Sequence, residues 1–291
     1  MKWGSWIVLG IAGALMWGGK PRDLVFAERG FAESPNDDET SPGLRALREG
    51  LNRGGTREEL EELLRDAKPL VKQNVLLTRR IEETLNRLSS TTDEKRGIKL
   101  LKGTIREGIE ILEFEYVKEA ELPVGFPEPT PVGEIRVKSY PAYRMAAVKQ
   151  GMETFAFWTL FGHIKKNEIA MTAPVEMTFG KEGKKSEGMQ QMAFLYGSQE
   201  IGKPGKDGQV EVVDVQSMLT VSIGMKGEAA ERGKAEAKQF LEEWLKEHAK
   251  EYQPVGPLRM MGYNSPMVPS EKRYFEFEIP VKRLTESTET P

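Results

Sequence analysis

The sequence predicts an α+β protein. Its main domain is a distorted β-barrel made of two strand–helix–strand–strand repeats with two flanking helices. An N-terminal membrane helix or signal and a helical hairpin precede that domain. Three observations carry this. Residues 134–283 alternate apolar and polar positions in short runs, interrupted twice by a helix-length segment. The pattern of the first half returns in the second, offset by about 75 residues. An uncharged apolar run, residues 3–19, stands apart from both.

Composition narrows the chemistry. The chain has 291 residues, enough for one or two domains. Charged residues make up 30%, yet the net charge is only −3 with both signs interspersed, which argues against a nucleic-acid partner. With no cysteine there are no disulfides, thiolate zinc sites, iron–sulfur clusters or cysteine nucleophiles. The two histidines, His163 and His248, cannot build a multi-histidine metal centre, and no metal site is expected.

Residues 1–30 read as a membrane anchor or secretory signal. Lys2 gives a basic start, and the run 3–19 sits at the lower edge of the ~17–25 apolar residues that span a bilayer. Trp3 and Trp17 suit an interfacial belt. Either reading places the rest of the chain outside the cytoplasm, tethered or exported. Residues 31–121 form a polar spacer and a helical segment. Thr56 and Glu59 have capping-box spacing, and Leu60, Leu63 and Leu64 make one apolar face. Leu70, Leu77, Ile81 and Leu88 follow at heptad-like spacing. Thr91 and Glu94 can cap a second helix carrying Ile98, Leu101, Ile105 and Leu112. Two such stripes around a polar loop predict an antiparallel hairpin. Gly103 and Gly108 weaken the second helix. Residues 122–133, with Pro123, Pro127, Pro129 and Pro131, predict an extended linker. Residues 284–291 read as a disordered tail.

In the C-terminal domain, strands are expected from Ile135, after a helix over 153–165, and over 189–196. The series resumes over 210–225, a helix over 228–250, and strands over 258–263 and 273–281. A glycine- and lysine-rich loop spans 180–188. Two apolar runs ending in proline stand out: Ile169-Ala-Met-Thr-Ala-Pro-Val175 and Gly262-Tyr-Asn-Ser-Pro266. They read as occupying equivalent places in the two halves. A cleft between such halves is a natural small-molecule site.

These two motifs, together with the aromatic segment Phe155-Ala-Phe-Trp-Thr-Leu-Phe161, resemble the SOUL haem-binding protein family over residues 134–283. The resemblance implies the distorted barrel with two helices. It also implies binding of haem or another tetrapyrrole, and a distant similarity to bacterial effector-binding domains that hold small organic ligands. Some members place a histidine in the first strand as an axial iron ligand. The matching position here is Lys138.

On a wheel of 100° per residue, Phe157, Leu160, Phe161 and Ile164 share a core face. Phe155 and Trp158 fall outside it, with Gly162 beside them. Two rings flanking a bare position make a flat apolar surface that can stack a planar macrocycle. The plainer reading is contact with a partner or with the helical segment. Met171 joins the ligand-binding candidates as a soft thioether, and core packing is its plainer role. Lys138 and Arg144 are candidates for pairing with propionates, against surface solvation. His163 is the candidate axial ligand, against an exposed helix-end histidine. His248, four residues after Trp244, reads as a satisfied, half-buried histidine.

No Gly-x-Ser-x-Gly elbow, His-Glu-x-x-His or phosphate-cradling loop occurs, although missing motifs do not exclude an enzyme. The expected function is haem or tetrapyrrole binding by a tethered or exported domain. The partners are then a hydrophobic planar small molecule and, through residues 1–30, a membrane, with no nucleic acid. The alternatives are a binding module for another hydrophobic small molecule, or an interaction module using the same aromatics.

Overall fold

A computed structural model describes residues 41–149, 153–180, 188–227 and 231–284. The expected anchor or signal, most of the spacer, the interior of the 180–188 loop and nearly all of the tail lie outside these residues. Within them, no helix is long and apolar enough to cross a membrane.

Four helices come first, where the sequence suggests two. Helix α1 (Pro42–Arg53) starts on a Ser41 cap with proline in its first turn. Helix α2 (Arg57–Leu70) opens on the expected Thr56/Glu59 capping box and stops beside Pro69. The stripe then breaks, and Asn74 caps a separate helix, α3 (Val75–Leu88). Helix α4 (Glu94–Leu112) is capped by Asp93 rather than Thr91, the Asp93 carboxylate accepting from the Arg96 amide at 2.6 Å. Leu47, Leu60, Leu64, Leu77, Ile81, Leu101 and Ile105 close a common core. A Cβ on Gly108 would lie 2.9 Å from Leu47 and 3.0 Å from Leu77. That glycine therefore sits at a close approach between helices, whereas Gly103 meets nothing within 4 Å.

The rest is one antiparallel sheet with two helices. In chain order the elements are β1 (Ile135–Tyr140), β2 (Tyr143–Lys149), α5 (Glu153–Lys166), β3 (Val175–Phe179), β4 (Met189–Leu195), β5 (Gly205–Asp207), β6 (Val210–Val215), β7 (Met218–Lys226), α6 (Glu231–Glu247), β8 (Tyr252–Pro254), β9 (Arg259–Gly262) and β10 (Tyr274–Arg283). The strand order is β1-β7-β10-β9-β3-β4-β2-β6-β5, with β8 beside β10. The expected barrel is not formed: β1 and β5 end the order and do not pair, so the sheet is open.

The internal repeat is present and fuller than expected. Each half is strand–strand–helix–strand–strand. Ile135 and Val210 begin equivalent strands 75 residues apart, as do Tyr143 and Met218. Later equivalents, Val175 with Arg259, lie 84 apart. The order is symmetric about the central β3·β9 pair. The two proline motifs, however, are not equivalent. One leads into β3 and the other leaves β9, and they meet because Val175 pairs with Gly262 across that antiparallel junction. The halves thus join through a continuous hydrogen-bonded ladder, and no cleft separates them.

Register fixes which side chains share a face. Ala146, Phe194, Val175, Gly262 and Phe275 are successive cross-strand partners and project together. Both helices cover this outer face. Helix α5 packs Ala156, Leu160 and Ile164 on Phe194 and its neighbours. Helix α6 packs Ala237, Phe240, Leu241 and Leu245 on Phe277 and its neighbours.

The inner face is covered by residues 113–133, which are extended as the prolines require but are not a free linker. The Asn264 side chain donates to the Val117 carbonyl at 2.6 Å, and the Ser265 amide and hydroxyl bond Glu119. The Ala173 amide donates to the Glu121 carbonyl at 3.0 Å. Phe126 sits edge-on to Tyr140 and Tyr143 at 5.0 and 5.2 Å. At Gly224 a Cβ would fall 2.2 Å from the Thr130 carbonyl, so only glycine admits this strap. Both proline motifs therefore clamp the strap to the sheet.

Candidate functional site

Beneath the strap the inner face carries charge. Lys138, 5% exposed, donates to both oxygens of the fully buried Glu276 at 2.8 and 2.9 Å. Glu276 also accepts from the Thr130 amide at 2.7 Å, from Ser222 at 3.0 Å and from Tyr263. Arg259 bridges Glu176 at 3.2 Å and Glu278 at 2.7 Å. Tyr143 donates to Glu176 and Tyr140 to Glu278. Burial, then the neighbouring carboxylates, raise the phenol pKa values of Tyr140, Tyr143, Tyr263 and Tyr274, so all four stay protonated donors. Burial also raises Glu278, against the pull of Arg259. Burial works against the Arg259 cation, but Glu176 and Glu278 outweigh it and hold it charged. Among the described buried side-chain atoms only Thr220 Oγ1 and Arg259 Nε lack a partner. Both lie on the inner face, which is otherwise satisfied from within.

Lys138 and Arg144 are therefore neither solvated nor free to pair with a ligand. Arg144 grips Asp214 through Nε and Nη2 at 2.8 and 2.9 Å and donates to the carbonyls of Ile201 and Gly202. Donating to the Asp214 carboxylate raises the Arg144 pKa further. His163 is buried, not a surface helix end. Its Nδ1 lies 2.8 Å from Asp207 and its Nε2 2.9 Å from the Tyr196 hydroxyl, so both ring nitrogens are engaged. Lys166, followed by His163, holds the Asp207 carboxyl down to about 2. His248 stacks on Trp244 at 4.0 Å and contacts its carbonyl at 2.8 Å, the satisfied role expected.

Phe155, Trp158 and Gly162 share the outward face of α5. Phe155 is 50% and Trp158 39% exposed, the two exposed aromatic rings among the described residues. A Cβ at Gly162 would meet nothing within 4 Å. Met171, 38% exposed, lies five residues beyond α5, and no described contact joins it to that face.

Pseudo-symmetry explains why this face is bare. Ala156, Leu160 and Ile164 correspond to Ala237, Leu241 and Leu245 of α6, so Phe155 and Gly162 fall where α6 has Glu236 and Glu243. There α3 docks: Arg80 bonds Glu236, Arg79 bonds Glu243, and the Arg79 guanidinium lies 3.9 Å over the Phe240 ring. On α5 the acids are replaced by a ring and a glycine. The helical segment accordingly packs on α6 and leaves the α5 aromatics uncovered.

The two best-formed hollows among the described residues measure about 140 Å³, beside Tyr143 and Tyr196, and about 230 Å³, beside Arg87 and Arg96. Both fall short of the ~300 Å³ at which small-molecule pockets begin.

A family model described as SOUL heme-binding protein matches residues 128–280, more than half the chain. The chain belongs to the SOUL family. The matched SOUL region includes the end of the strap and every strand but the last few residues of β10. Among solved structures, the C-terminal domain of EcmrR is similar at 15% identity, covering 52% of this chain and 98% of that one, with a TM-score of 0.41. A hydrolase from Listeria innocua is similar at 12% identity, covering 53% and 94%, with a TM-score of 0.39. SAV2435, solved bound to tetraphenylphosphonium, is similar at 12% identity, covering 51% and 94%, with a TM-score of 0.35. No curated protein matches the chain.

Proposed function

We propose that this SOUL domain binds haem or a related tetrapyrrole against the outer face of α5. The observation that carries the reading is the pair of half-exposed rings, Phe155 and Trp158, beside the bare backbone of Gly162. A planar macrocycle can lie flat there, and aromatic stacking adds ~0.5–1.5 kcal/mol per pair beyond area burial. The residues fit the macrocycle and do not fit an axial bond. His163 is held at both nitrogens, and Lys138 fills the position of the family's strand histidine while paired with Glu276. Apolar contact therefore supplies the affinity, and haem bound here would bring its iron without a ligand from His163 or Lys138. The uncharged run 3–19 supports a tethered or exported setting, where a sparingly soluble ligand would be met.

The test is titration of the full chain with haemin and with metal-free protoporphyrin, followed by absorbance. The two are expected to saturate with similar affinity. Trp158→Ala and Phe155→Ala should each weaken binding about tenfold, the equivalent of ~1.4 kcal/mol. Wild-type affinity in both variants, or no saturation with either porphyrin, would overturn the proposal.

A further inference from the structure

The turn between α3 and α4, residues 89–93, lies outside the region that the SOUL model matches. The larger of the two hollows, about 230 Å³, opens beside it, and its lining includes Arg87, Ser90, Thr92, Asp93, Arg96 and Leu100. The turn covers its own acceptors. Arg57 reaches across from α2 and donates to the Leu88 and Thr91 carbonyls, both at 2.8 Å. The Ser90 and Thr91 hydroxyls donate to the Arg87 carbonyl at 3.1 and 2.8 Å. The carbonyl end of α3, which repels anions, is thus quenched from within. What the turn leaves open is donors. Arg87 and Arg96 are exposed, and neither guanidinium has a partner among the described residues. By contrast Arg48, Arg65, Arg79 and Arg80 of the same helical segment each hold a glutamate. The Thr92 hydroxyl is also without a partner among the described residues.

From this we infer that the α3–α4 hollow binds a tetrahedral oxyanion, the phosphate of a phosphomonoester or inorganic phosphate. Arg87 and Arg96 bring two guanidinium forks to it from two different helices, and such forks match phosphate oxygens in pairs. Thr92 supplies a hydroxyl donor between them. The hollow is too small for a macrocycle, and its polar lining suits a small anion. The amide end of α4 is not the recognition element, because Asp93 already takes the Arg96 amide at 2.6 Å. Asp93 sets the strength of the site: its carboxylate opposes the anion, and two guanidinium groups against one carboxylate leave the lining net positive. The inference is independent of the α5 face and of the porphyrin reading. Its ligand chemistry is shared by soluble phosphate esters and by the headgroup of a phosphomonoester lipid.

The test is calorimetric titration of the full chain with inorganic phosphate at fixed ionic strength, with chloride as the balancing ion so that general screening is held constant. Saturable binding is expected. Arg87→Ala/Arg96→Ala should weaken it at least tenfold. Arg87→Lys/Arg96→Lys should recover part of the loss, since the charge returns without the fork. Asp93→Asn keeps an oxygen for the Arg96 amide, removes the opposing charge and should tighten binding about threefold. All of these side chains are exposed, so the variants are expected to unfold at the wild-type temperature when phosphate is absent. No saturation with the wild type, or wild-type affinity in the double alanine variant, would overturn the assignment. Vesicles of phosphatidylcholine with and without phosphatidic acid then separate the two sources. Phosphatidic-acid-dependent retention that needs both arginines and is competed by free phosphate assigns the lipid headgroup, and phosphate binding without it assigns a soluble ester.

Discussion

Replacing Lys138 with methionine is expected to lower stability by about 3–5 kcal/mol, the loss typical of leaving one member of a buried ion pair alone. Glu276 is fully buried, and Lys138 is the cation that bonds both its oxygens. Thr130, Ser222 and Tyr263 would still donate to it, but none brings a compensating charge. The double variant Lys138→Met/Glu276→Leu should recover much of the loss, because it removes the charge together with its partner. Urea unfolding of the wild type, both single variants and the double gives the coupling directly. A single-variant loss below ~1 kcal/mol would mean that water reaches the pair and that the strap does not seal the inner face.

The second large effect concerns the strap. A chain that begins at Glu134, the start of the strand pattern, is expected to be more than about 3 kcal/mol less stable than one that begins at Ser41. Without residues 113–133, Glu276 loses the Thr130 amide, a buried donor whose absence alone leaves ~1–3 kcal/mol uncompensated. Phe126 no longer covers Tyr140 and Tyr143, and the tyrosines 263 and 274 lose Tyr116. A chain beginning at Glu113 should regain most of the difference, since the strap's contacts are with the sheet and the two proline motifs. Thermal unfolding of the three chains decides it. Equal stability of the chains starting at 41 and 134 would reduce the strap to a passive connection.

These two effects mark where the sequence was hard to read. The strand alternation, the repeat offset, the capping box at Thr56 and the separation of α5 into core and outer faces are local patterns, and each was legible. Lys138, Glu276 and Glu278 were not, because a period of two says that alternate residues face opposite ways without saying that both faces are buried. Charged residues alternating with Val137 or Phe277 read as solvent-facing. Here the helices cover one face and the strap the other, so the charges had to pair. The prolines at 123, 127, 129 and 131 announced extended chain correctly, but extension does not reveal what the chain lies against. Closure failed for a similar reason. Whether β1 and β5 meet depends on twist summed across the whole sheet, which no window of residues reports. The two proline motifs looked equivalent by composition and are neighbours by antiparallel pairing, a relation that only topology supplies.

The outward placement of Phe155, Trp158 and Gly162 on α5 followed from helical periodicity alone. His163 did not, because its partners Asp207 and Tyr196 lie 44 and 33 residues away.

The central claim is that the guest lies on the outer face of α5 and not beneath the strap. Hydrogen exchange of the full chain with and without protoporphyrin tests this by location. The account predicts slower exchange confined to peptides covering residues 153–166, with residues 113–133 and 274–283 unchanged. Altered exchange in the strap and β10, with α5 unaffected, would contradict it and place the ligand inside.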